Sequence, residues 1–283
     1  MADLEIASAS AADLLLMRDW AESEGWNPGE GDRFAFAVAD PRGFLVGRHQ
    51  GTPVACISAV RYGAGFGFIG FYIAHPSVRG QGYGIQLWRA GMAALDGRLV
   101  GLDGVVEQQE NYRKSGFRPA WTNLRYEGVP VPGDSSLPPG VELVDARELP
   151  FERLAAYDRR FFPEPRDAFL AAWTGLPGRT AYVALRDGAV EGFGAVRPGV
   201  TADRIGPLYA ADQRIAAALL HRLASAAAGR PVSVDAPDVN PAALTLMAGA
   251  GLTPVFETAR MYTGATPPLN FPHLYGVTSL ELG

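Results

Sequence analysis

The chain contains an internal repeat of one whole domain. Residues 59–63, Ala-Val-Arg-Tyr-Gly, return 136 positions later as residues 195–199, Ala-Val-Arg-Pro-Gly. Residues 116–119, Gly-Phe-Arg-Pro, return 135 positions later as residues 251–254, Gly-Leu-Thr-Pro. The displacement matches an ordinary domain size. We therefore predict a first repeat over residues 1–130, a Pro/Gly/Ser-rich linker over 131–140 and a second repeat over 141–283.

Composition limits the class of protein. With 283 residues, 48% of them hydrophobic, the chain can bury two separate cores. The net charge of −5 gives no field that favours nucleic acid or an acidic membrane. Cys56 is the only cysteine, which excludes an intramolecular disulfide and suits a reducing cytosol. Neither an export signal nor a run of about 18 apolar residues occurs, so we expect a cytoplasmic protein with no membrane or nucleic-acid partner.

Hydrophobic periodicity predicts a mixed α/β fold in both repeats. In the first repeat we expect strands from residue 4 and over 66–74, 98–106 and 119–127, a hairpin of 43–47 with 54–61 turned at Gln50-Gly51, and helices over 11–20, capped by Ser10, and 82–96. In the second repeat we expect helices over 151–161, 166–173 and 213–227, a hairpin of 182–185 with 190–196, and a final strand over 275–282.

A glycine-rich turn separates a predicted buried strand from a predicted helix at residues 75–85, His-Pro-Ser-Val-Arg-Gly-Gln-Gly-Tyr-Gly-Ile. The first N–H groups of a helix lack intrahelical partners and lie at the positive end of the macrodipole, so they bind anions. Glycine lets a diphosphate approach the main chain closely. We interpret the turn as a phosphate site; a glycine-rich connection without a ligand is the alternative.

The spacing of the glycines excludes two common phosphate motifs. A P-loop needs Gly-Lys-Ser or Gly-Lys-Thr, which is absent, and a dinucleotide fingerprint needs its third glycine one residue later than Gly84. The remaining pattern, Arg79-x-x-Gly82-x-Gly84, resembles the signature of the GNAT superfamily of acyl-CoA N-acyltransferases. Downstream, residues 112–117, Tyr-Arg-Lys-Ser-Gly-Phe, resemble the Tyr-x-x-x-Gly-Phe segment of the same superfamily. Together the two motifs extend the resemblance over residues 1–128.

The resemblance implies a fold and a cofactor. The fold would be two tandem GNAT-like domains, each a mixed, mostly antiparallel twisted sheet flanked by helices. The co-substrate would be acetyl-CoA, with no metal. The residues implied in binding it are Tyr72, Ile73 and Ala74 at the thioester carbonyl, Arg79, Gly80, Gln81, Gly82, Tyr83 and Gly84 at the pyrophosphate, and Asn111 and Tyr112 near the leaving thiol.

The resemblance also implies direct attack of an amine on the thioester. Tyr112 is our candidate for the acid that protonates the thiolate, because a phenol is a suitable donor to a thiolate; a packing role is the alternative. Asp103 lies in an apolar strand and is a candidate base with a raised pKa. Its counterpart Asp235 in the second repeat argues equally for a shared structural role. Other candidate bases are His75, Glu107 and Glu110, or a water chain.

The second repeat lacks the residues of this chemistry. At the 136-residue displacement Arg79, Gly80, Gly82 and Gly84 correspond to Ile215, Ala216, Ala218 and Leu220, and at 135 residues Tyr112 corresponds to Met247. We therefore expect the first repeat to be catalytic and the second to be degenerate. We expect Cys56, in an apolar hairpin strand, to be a buried and unreactive thiol.

The acceptor is the least determined part. Residues 21–33 occupy the segment that walls the acceptor side in the superfamily. Their acids are Glu22, Glu24, Glu30 and Asp32, which either attract a cationic amine or form an ordinary solvated loop; Trp26 is a pocket wall or a core anchor. We expect the second repeat to cover one side of the cleft. The expected function is N-acetylation of a primary amine of a small molecule, a lysine or an N-terminus; the alternative is a non-catalytic acyl-CoA-binding or interaction protein.

Overall fold

The computed structural model describes residues 4–131, 133 and 136–283. The first repeat forms strands and helices in the order β1 (Glu5–Ser8), α1 (Ala11–Ser23), α2 (Asp32–Ala39), β2 (Phe44–His49), β3 (Thr52–Tyr62), β4 (Phe66–Ala74), α3 (Tyr83–Ala94), β5 (Leu99–Val105), α4 (Gln109–Lys114) and β6 (Arg118–Gly128). The second repeat forms β7 (Val141–Asp145), α5 (Phe151–Asp158), α6 (Asp167–Gly175), β8 (Thr180–Arg186), β9 (Ala189–Arg197), β10 (Asp203–Ala210), α7 (Gln213–Ala226), β11 (Val232–Pro237), α8 (Pro241–Gly249), β12 (Thr253–Tyr262) and β13 (Leu274–Gly276).

Most local predictions are confirmed, and their causes are visible. Ser10 caps α1 through a capping box in which its hydroxyl accepts from the Asp13 amide and Asp13 accepts from the Ser10 amide. Gln50 and Gly51 both have positive φ in the turn between β2 and β3, as a tight hairpin of this type requires.

One local prediction is wrong, and one helix was not predicted. The predicted final strand over 275–282 is reduced to the three residues of β13, because the following residues turn away to pack between the repeats. Helix α2 was not predicted, since it begins at Asp32 inside the segment assigned to the acceptor wall.

All thirteen strands join one sheet, which is mostly antiparallel. Its order is β1-β2-β3-β4-β5-β12-β6-β11-β10-β9-β8-β7, with β13 paired to β10. Only β4 with β5 and β10 with β11 are parallel among the described pairings. The mixed, mostly antiparallel fold is confirmed, but the two repeats share a continuous sheet.

The repeats exchange their last long strands. β12 of the second repeat lies between β5 and β6, and β6 of the first repeat lies between β12 and β11. Each repeat therefore completes the sheet of the other. The core has a shared part and two separate parts. The largest buried cluster combines Phe36 and Phe71 of the first repeat with Trp173 and Phe193 of the second, while smaller clusters lie under α3 and under α7 with α8.

Two buried ion pairs join the exchanged strands to their neighbours and are related by near-twofold symmetry. Asp103 on β5 accepts from Arg260 on β12, and Asp235 on β11 accepts from Arg125 on β6. The repeated aspartates and arginines of the sequence are thus partners across the exchange. Removing one member of such a buried pair typically costs about 3–5 kcal/mol, so the pairs fix the register between the repeats.

In the described residues no helix has the length and apolar character to span a bilayer.

Candidate active site

Strands β4 and β5 are paired along their first residues and then separate. Their parallel pairing ends at Ile69 with Leu102, although β4 continues to Ala74 alongside β3. A bulge in β4 lies just past this point, where Phe71 adopts a positive φ of 46°. The backbone of residues 72–74 therefore has no partner strand on its β5 side.

Two cavities occupy the separation. The outer cleft, about 570 Å³, is lined by residues that include Glu24, Tyr72, Ile73, Ala74, Arg79 and Glu107. The inner pocket, about 70 Å³, is lined by residues that include Trp26, Tyr72, Asp103, Tyr112, Phe256 and Glu281. Because Trp26, Tyr72 and Phe256 line both, the two spaces adjoin and lead from the strand ends into the interior.

The glycine turn forms the start of α3. Gly80 and Gly82 have φ values of 80° and 85°, and a Cβ added to either would meet no atom within 4 Å. Gly82 is the N-cap of α3 and offers no side chain to the first amides of the helix. Both glycines are thus needed for backbone conformation, and the space beside them is open to an anion.

Gly84 has a different reason to be glycine. A Cβ at this position would lie 2.9 Å from the hydroxyl oxygen of Tyr72. The missing side chain lets the ring of Tyr72 pack against the first turn of α3. Tyr83, the residue before it, is buried among the side chains under α3.

Arg79 bridges the outer cleft. Its Nε donates to the carbonyl of Ala74 at 3.0 Å, and its Nη2 pairs with Glu24 at the end of α1. Gln81 lies beside it on the surface, and its amide donates to the carbonyl of Ser77 at 3.2 Å.

Tyr112 lies against the inner pocket and is 8% exposed. Its ring packs on Trp88, with ring centroids 5.4 Å apart, and Trp88 also packs on Tyr72. A Cβ on Gly104 would lie 2.8 Å from the Tyr112 ring. Burial raises the pKa of the Tyr112 phenol, and Tyr72 raises it further. The phenol is therefore protonated at neutral pH and can donate a hydrogen bond into the pocket.

Asp103 lies at the floor of the inner pocket with its carboxylate fully engaged. Arg260 Nε and Nη2 donate to its two oxygens at 2.8 and 2.7 Å, and Asn123 Nδ2 donates at 2.8 Å. Desolvation raises its pKa against the opposing attraction of Arg260. The contacts favour the structural alternative of the two left open by the sequence.

The other candidate bases lie around the site in different ways. Glu107 lines the outer cleft. Glu110 is exposed and pairs with Arg113 at 3.4 Å. His75 caps the short turn after β4, with Nδ1 2.7 Å from the Ser77 hydroxyl. Asn111 is also exposed, and its Nδ2 donates to Gln108 Oε1 at 2.9 Å.

Cys56 is buried on β3, and its thiol donates to the carbonyl of Phe71 at 3.3 Å. Burial raises its pKa, which keeps the sulfur in its unreactive thiol form.

The acids of the predicted acceptor wall do not form one solvated loop. Asp32 is buried and accepts from Arg179 at 2.6 Å and Arg197 at 2.9 Å, both of the second repeat. Glu22 pairs with Arg18 at 2.7 Å. Only Glu24 lines the outer cleft among these four acids.

The second repeat closes the equivalent space with its own chain. β10 and β11 pair only as far as Ile205 with Val234, and β13 then pairs with β10 where the two strands separate. The amide of Val277 donates to the carbonyl of Asp235 on β11 at 3.0 Å. Backbone therefore fills the space that is open in the first repeat.

The residue alignment predicted for the second turn is wrong. Two residues join β10 to α7, whereas eight join β4 to α3. Consequently Ile215, Ala216, Ala218 and Leu220 lie within α7, and the N-cap position that Gly82 holds in α3 belongs to Asp212 in α7. The second repeat has no glycine turn at this described position, and the Asp212 carboxylate accepts from the amide of Ile215 at the helix start.

The correspondence of Tyr112 with Met247 agrees with the structure. The Phe117 amide donates to the Tyr112 carbonyl at 3.1 Å, and the Leu252 amide donates to the Met247 carbonyl at the same distance.

Several lining residues were missed by the sequence analysis. Gln108 lines both cavities from the turn before α4. Phe256, Thr258 and Glu281 come from the second repeat through β12 and the tail that follows β13. The repeat itself was the available signal, but the strand exchange that brings these residues to the first repeat leaves no mark on local sequence.

Both repeats resemble known acyltransferases. Residues 12–117 match the acetyltransferase (GNAT) family, and residues 154–276 match an acetyltransferase (GNAT) domain. The holothin acyltransferase of Pseudoalteromonas sp. (strain SANK 73390) is 33% identical over 276 residues, covering 97% of this chain and 93% of that protein. The chain belongs to the GNAT family. It is an N-acyltransferase with two tandem GNAT domains, which confirms the resemblance found at residues 79–84 and 112–117 and favours an enzyme over a non-catalytic binding protein.

Solved structures with low sequence identity support this fold. A Pyrococcus horikoshii protein, provisionally assigned as an acetyltransferase, has a TM-score of 0.81 at 22% identity, covering 99% of this chain and 96% of that one. A tandem GNAT protein from the clavulanic acid biosynthesis pathway has a TM-score of 0.62 at 17% identity, covering 93% and 100%.

Proposed function

We propose that this GNAT enzyme transfers an acetyl group from acetyl-CoA to a primary amine at the first repeat. One observation carries the proposal: the open separation of β4 and β5 leads from Arg79, in the glycine turn before α3, to Tyr112, while the equivalent separation in the second repeat is filled by β13. A diphosphate fits beside Gly80 and Gly82, where a Cβ would point into open space.

The residues of the chain supply three functions. N–H groups within residues 72–74, left without a partner strand on the β5 side, would hold the carbonyl oxygen of the thioester as charge develops on it. Arg79 and the first amides of α3 would hold the pyrophosphate. Tyr112, protonated and packed against Trp88, would donate its proton to the departing thiolate as the C–S bond breaks. The nitrogen of the amine would form the new C–N bond, and the proton that it loses would pass to solvent through the open cleft. Acetyl-CoA itself would supply the activated acyl group.

We assign Asp103 a structural role, since Arg260 and Asn123 already occupy its carboxylate. We also propose that the enzyme acts in the cytoplasm on an amine acceptor, without nucleic-acid or membrane partners. Among the described residues no group of three His, Cys, Asp or Glu side chains is arranged to hold a metal ion.

The first test is donor binding by the Gly82→Glu variant. A carboxylate at the start of α3 would repel the pyrophosphate, so coenzyme A binding by calorimetry should be abolished. All binding should be lost, because β13 fills the equivalent space in the described part of the second repeat. Any residual coenzyme A binding by Gly82→Glu would contradict the assignment of one donor site per chain.

Gly97→Glu is the matched control for this variant. Gly97 also has a positive φ, 77°, and open space around it, but it lies beyond the other end of α3. It therefore shares the backbone strain and the added charge, and coenzyme A affinity should equal that of the wild type. Thiol release from acetyl-CoA across a panel of primary amines then tests turnover.

A further inference from the structure

Two residues that line the inner pocket, Thr258 and Glu281, each carry a buried oxygen atom without a hydrogen-bond partner. Glu281 is 6% exposed and uses only Oε1, which accepts from Arg204 at 2.6 Å, while Oε2 has no partner. Thr258 is 2% exposed, and its Oγ1 also has no partner. Both residues line the inner pocket. A buried polar atom without a partner is costly, so two in one pocket indicate a ligand with hydrogen-bond donors.

The charges around Glu281 leave its free oxygen negative. Arg204 divides its guanidinium between Glu281 and Asp235, and Arg125 is engaged by Asp235. Arg197 attracts Glu281, and these arginines lower the pKa of its carboxyl, which is therefore ionised at neutral pH. No described donor reaches Oε2.

Aromatic side chains form part of the pocket wall, which also includes Arg125, whose guanidinium carbon lies 5.5 Å from the centroid of the Phe256 ring. Trp26 closes it from the segment after α1, and Phe71 from the bulge of β4. Phe256 is directed into it by a bulge at Val255, where the register between β12 and β6 shifts. Aromatic faces stabilise a cation and also contact flat apolar groups.

We propose that the inner pocket binds the amino group of the acceptor in its ammonium form, with Glu281 and Thr258 of the second repeat as its hydrogen-bond acceptors. This inference rests on the proposed function and specifies its acceptor: a small primary amine on an apolar or aromatic body. An ammonium has three donors and no acceptor, which complements two oxygen atoms that lack donors. Glu281 and Thr258 determine specificity and position the amine; the second repeat supplies both.

The test uses 2-phenylethylamine, tryptamine and butylamine as probe acceptors, with 2-phenylethanol as a neutral competitor. Glu281→Gln keeps the bond to Arg204 and removes the charge. Its KM for the amines should rise about 10- to 100-fold, as expected for loss of a charge-assisted hydrogen bond, with the Kd for coenzyme A unchanged. Thr258→Val should raise the amine KM about 3- to 10-fold.

Glu257→Gln is the matched control, because Glu257 is exposed on β12 between Phe256 and Thr258 and does not line the pocket. It should leave the amine KM unchanged. An unchanged amine KM in Glu281→Gln together with a lower melting temperature would overturn the proposal and assign Glu281 a purely structural role, such as a water bridge to Arg197.

Binding to the wild type keeps the proposal testable if Glu281→Gln does not fold. Calorimetry on the wild type with coenzyme A bound should show the amines binding at least tenfold more tightly than 2-phenylethanol. Equal affinities, or no binding of any of the three amines, would overturn it. Failure of the proposed function is distinct: the wild type would then release no thiol from acetyl-CoA while this selectivity for amines persisted.

Discussion

The first and second repeats separate their parallel strands at equivalent points and use the space differently. In the first repeat the separation beyond Ile69 and Leu102 is a cleft, whereas beyond Ile205 and Val234 the chain's own β13 fills it. The second repeat therefore differs by additional backbone in this space and by a shorter turn before its helix. The replacement of individual glycines, which the sequence suggested, does not describe the difference.

The helices that follow show the same contrast in their electrostatics. α3 begins at Gly82, which has no side chain to satisfy the first amides. α7 begins at Asp212, whose carboxylate accepts from the Ile215 amide. One helix start is available to an external anion, and the other already has an internal one.

What both repeats keep is structural. Each repeat contributes one aspartate and one arginine to the pairs Asp103–Arg260 and Asp235–Arg125, although only the first repeat has an open cleft between its parallel strands. A residue retained in the half without a cleft serves the sheet, which supports a structural role for Asp103. Tyr112 differs in this respect, because its counterpart is Met247.

Among the substitutions that distinguish the two repeats, Tyr112→Phe should have the largest effect on catalysis. Loss of the donor to the leaving thiolate should lower kcat about 10²- to 10³-fold with little change in KM for acetyl-CoA. Met247→Leu, at the equivalent place in the second repeat, should leave both constants unchanged. Steady-state kinetics on the two variants measures the difference; equal kcat in Tyr112→Phe and the wild type would remove Tyr112 from the mechanism.

Acid sensitivity should distinguish the two ion pairs. Two guanidiniums lower the pKa of Asp235 to about 2, below its unfolded value near 4, so its contribution to stability is present above pH 4 and lost as pH falls towards 2. The loss amounts to about 2 kcal/mol of unfolding free energy. Desolvation raises the pKa of Asp103, which gives the opposite slope.

Urea unfolding at pH 4.5 and about pH 2.5 tests this difference. Asp235→Asn should be less stable than the wild type at the higher pH and should lack the 2 kcal/mol component on acidification. Asp103→Asn should retain that component. The same acid loss in both variants would contradict the difference drawn between the pairs.

Gly84→Ala should have the smallest effect. The added methyl group would meet the Tyr72 hydroxyl at 2.9 Å, and this end of the ring can shift, so KM for acetyl-CoA should rise about two- to threefold. Gly91→Ala is the control within α3, because its Cβ would meet Ile57, away from the cleft. Its KM should be unchanged, and a similar rise in both variants would indicate a general effect on the helix.

The sequence predicted the elements that depend on local pattern. The cap at Ser10, the hairpin at Gln50 and the helix after Gly82 follow from short-range rules of capping, turns and periodicity. Arg79 and Tyr112, which line the outer cleft and the inner pocket, lie in two contiguous motifs, so the sequence drew attention to both.

The remainder depends on contacts between distant parts of the chain. Nothing in residues 253–262 indicates that β12 pairs with β5 of the other repeat, and so Phe256 and Thr258 could not be placed in the site. Neither alternative for Asp32, an acceptor-attracting acid or part of a solvated loop, included its burial, because its partners Arg179 and Arg197 are more than 140 residues away. Sequence spacing aligned α7 wrongly, because counting residues at a fixed displacement cannot detect that the turn before α7 is shorter than the turn before α3.

The exchange of β6 and β12 has a consequence for biosynthesis. A chain emerging from the ribosome can form β1 to β5 early, but β5 stays an unpaired edge until β12 has been made. The inner pocket lacks Phe256, Thr258 and Glu281 until that moment. Acyl transfer that depends on this pocket is therefore expected only after β12 and the segment that follows β13 have been synthesised.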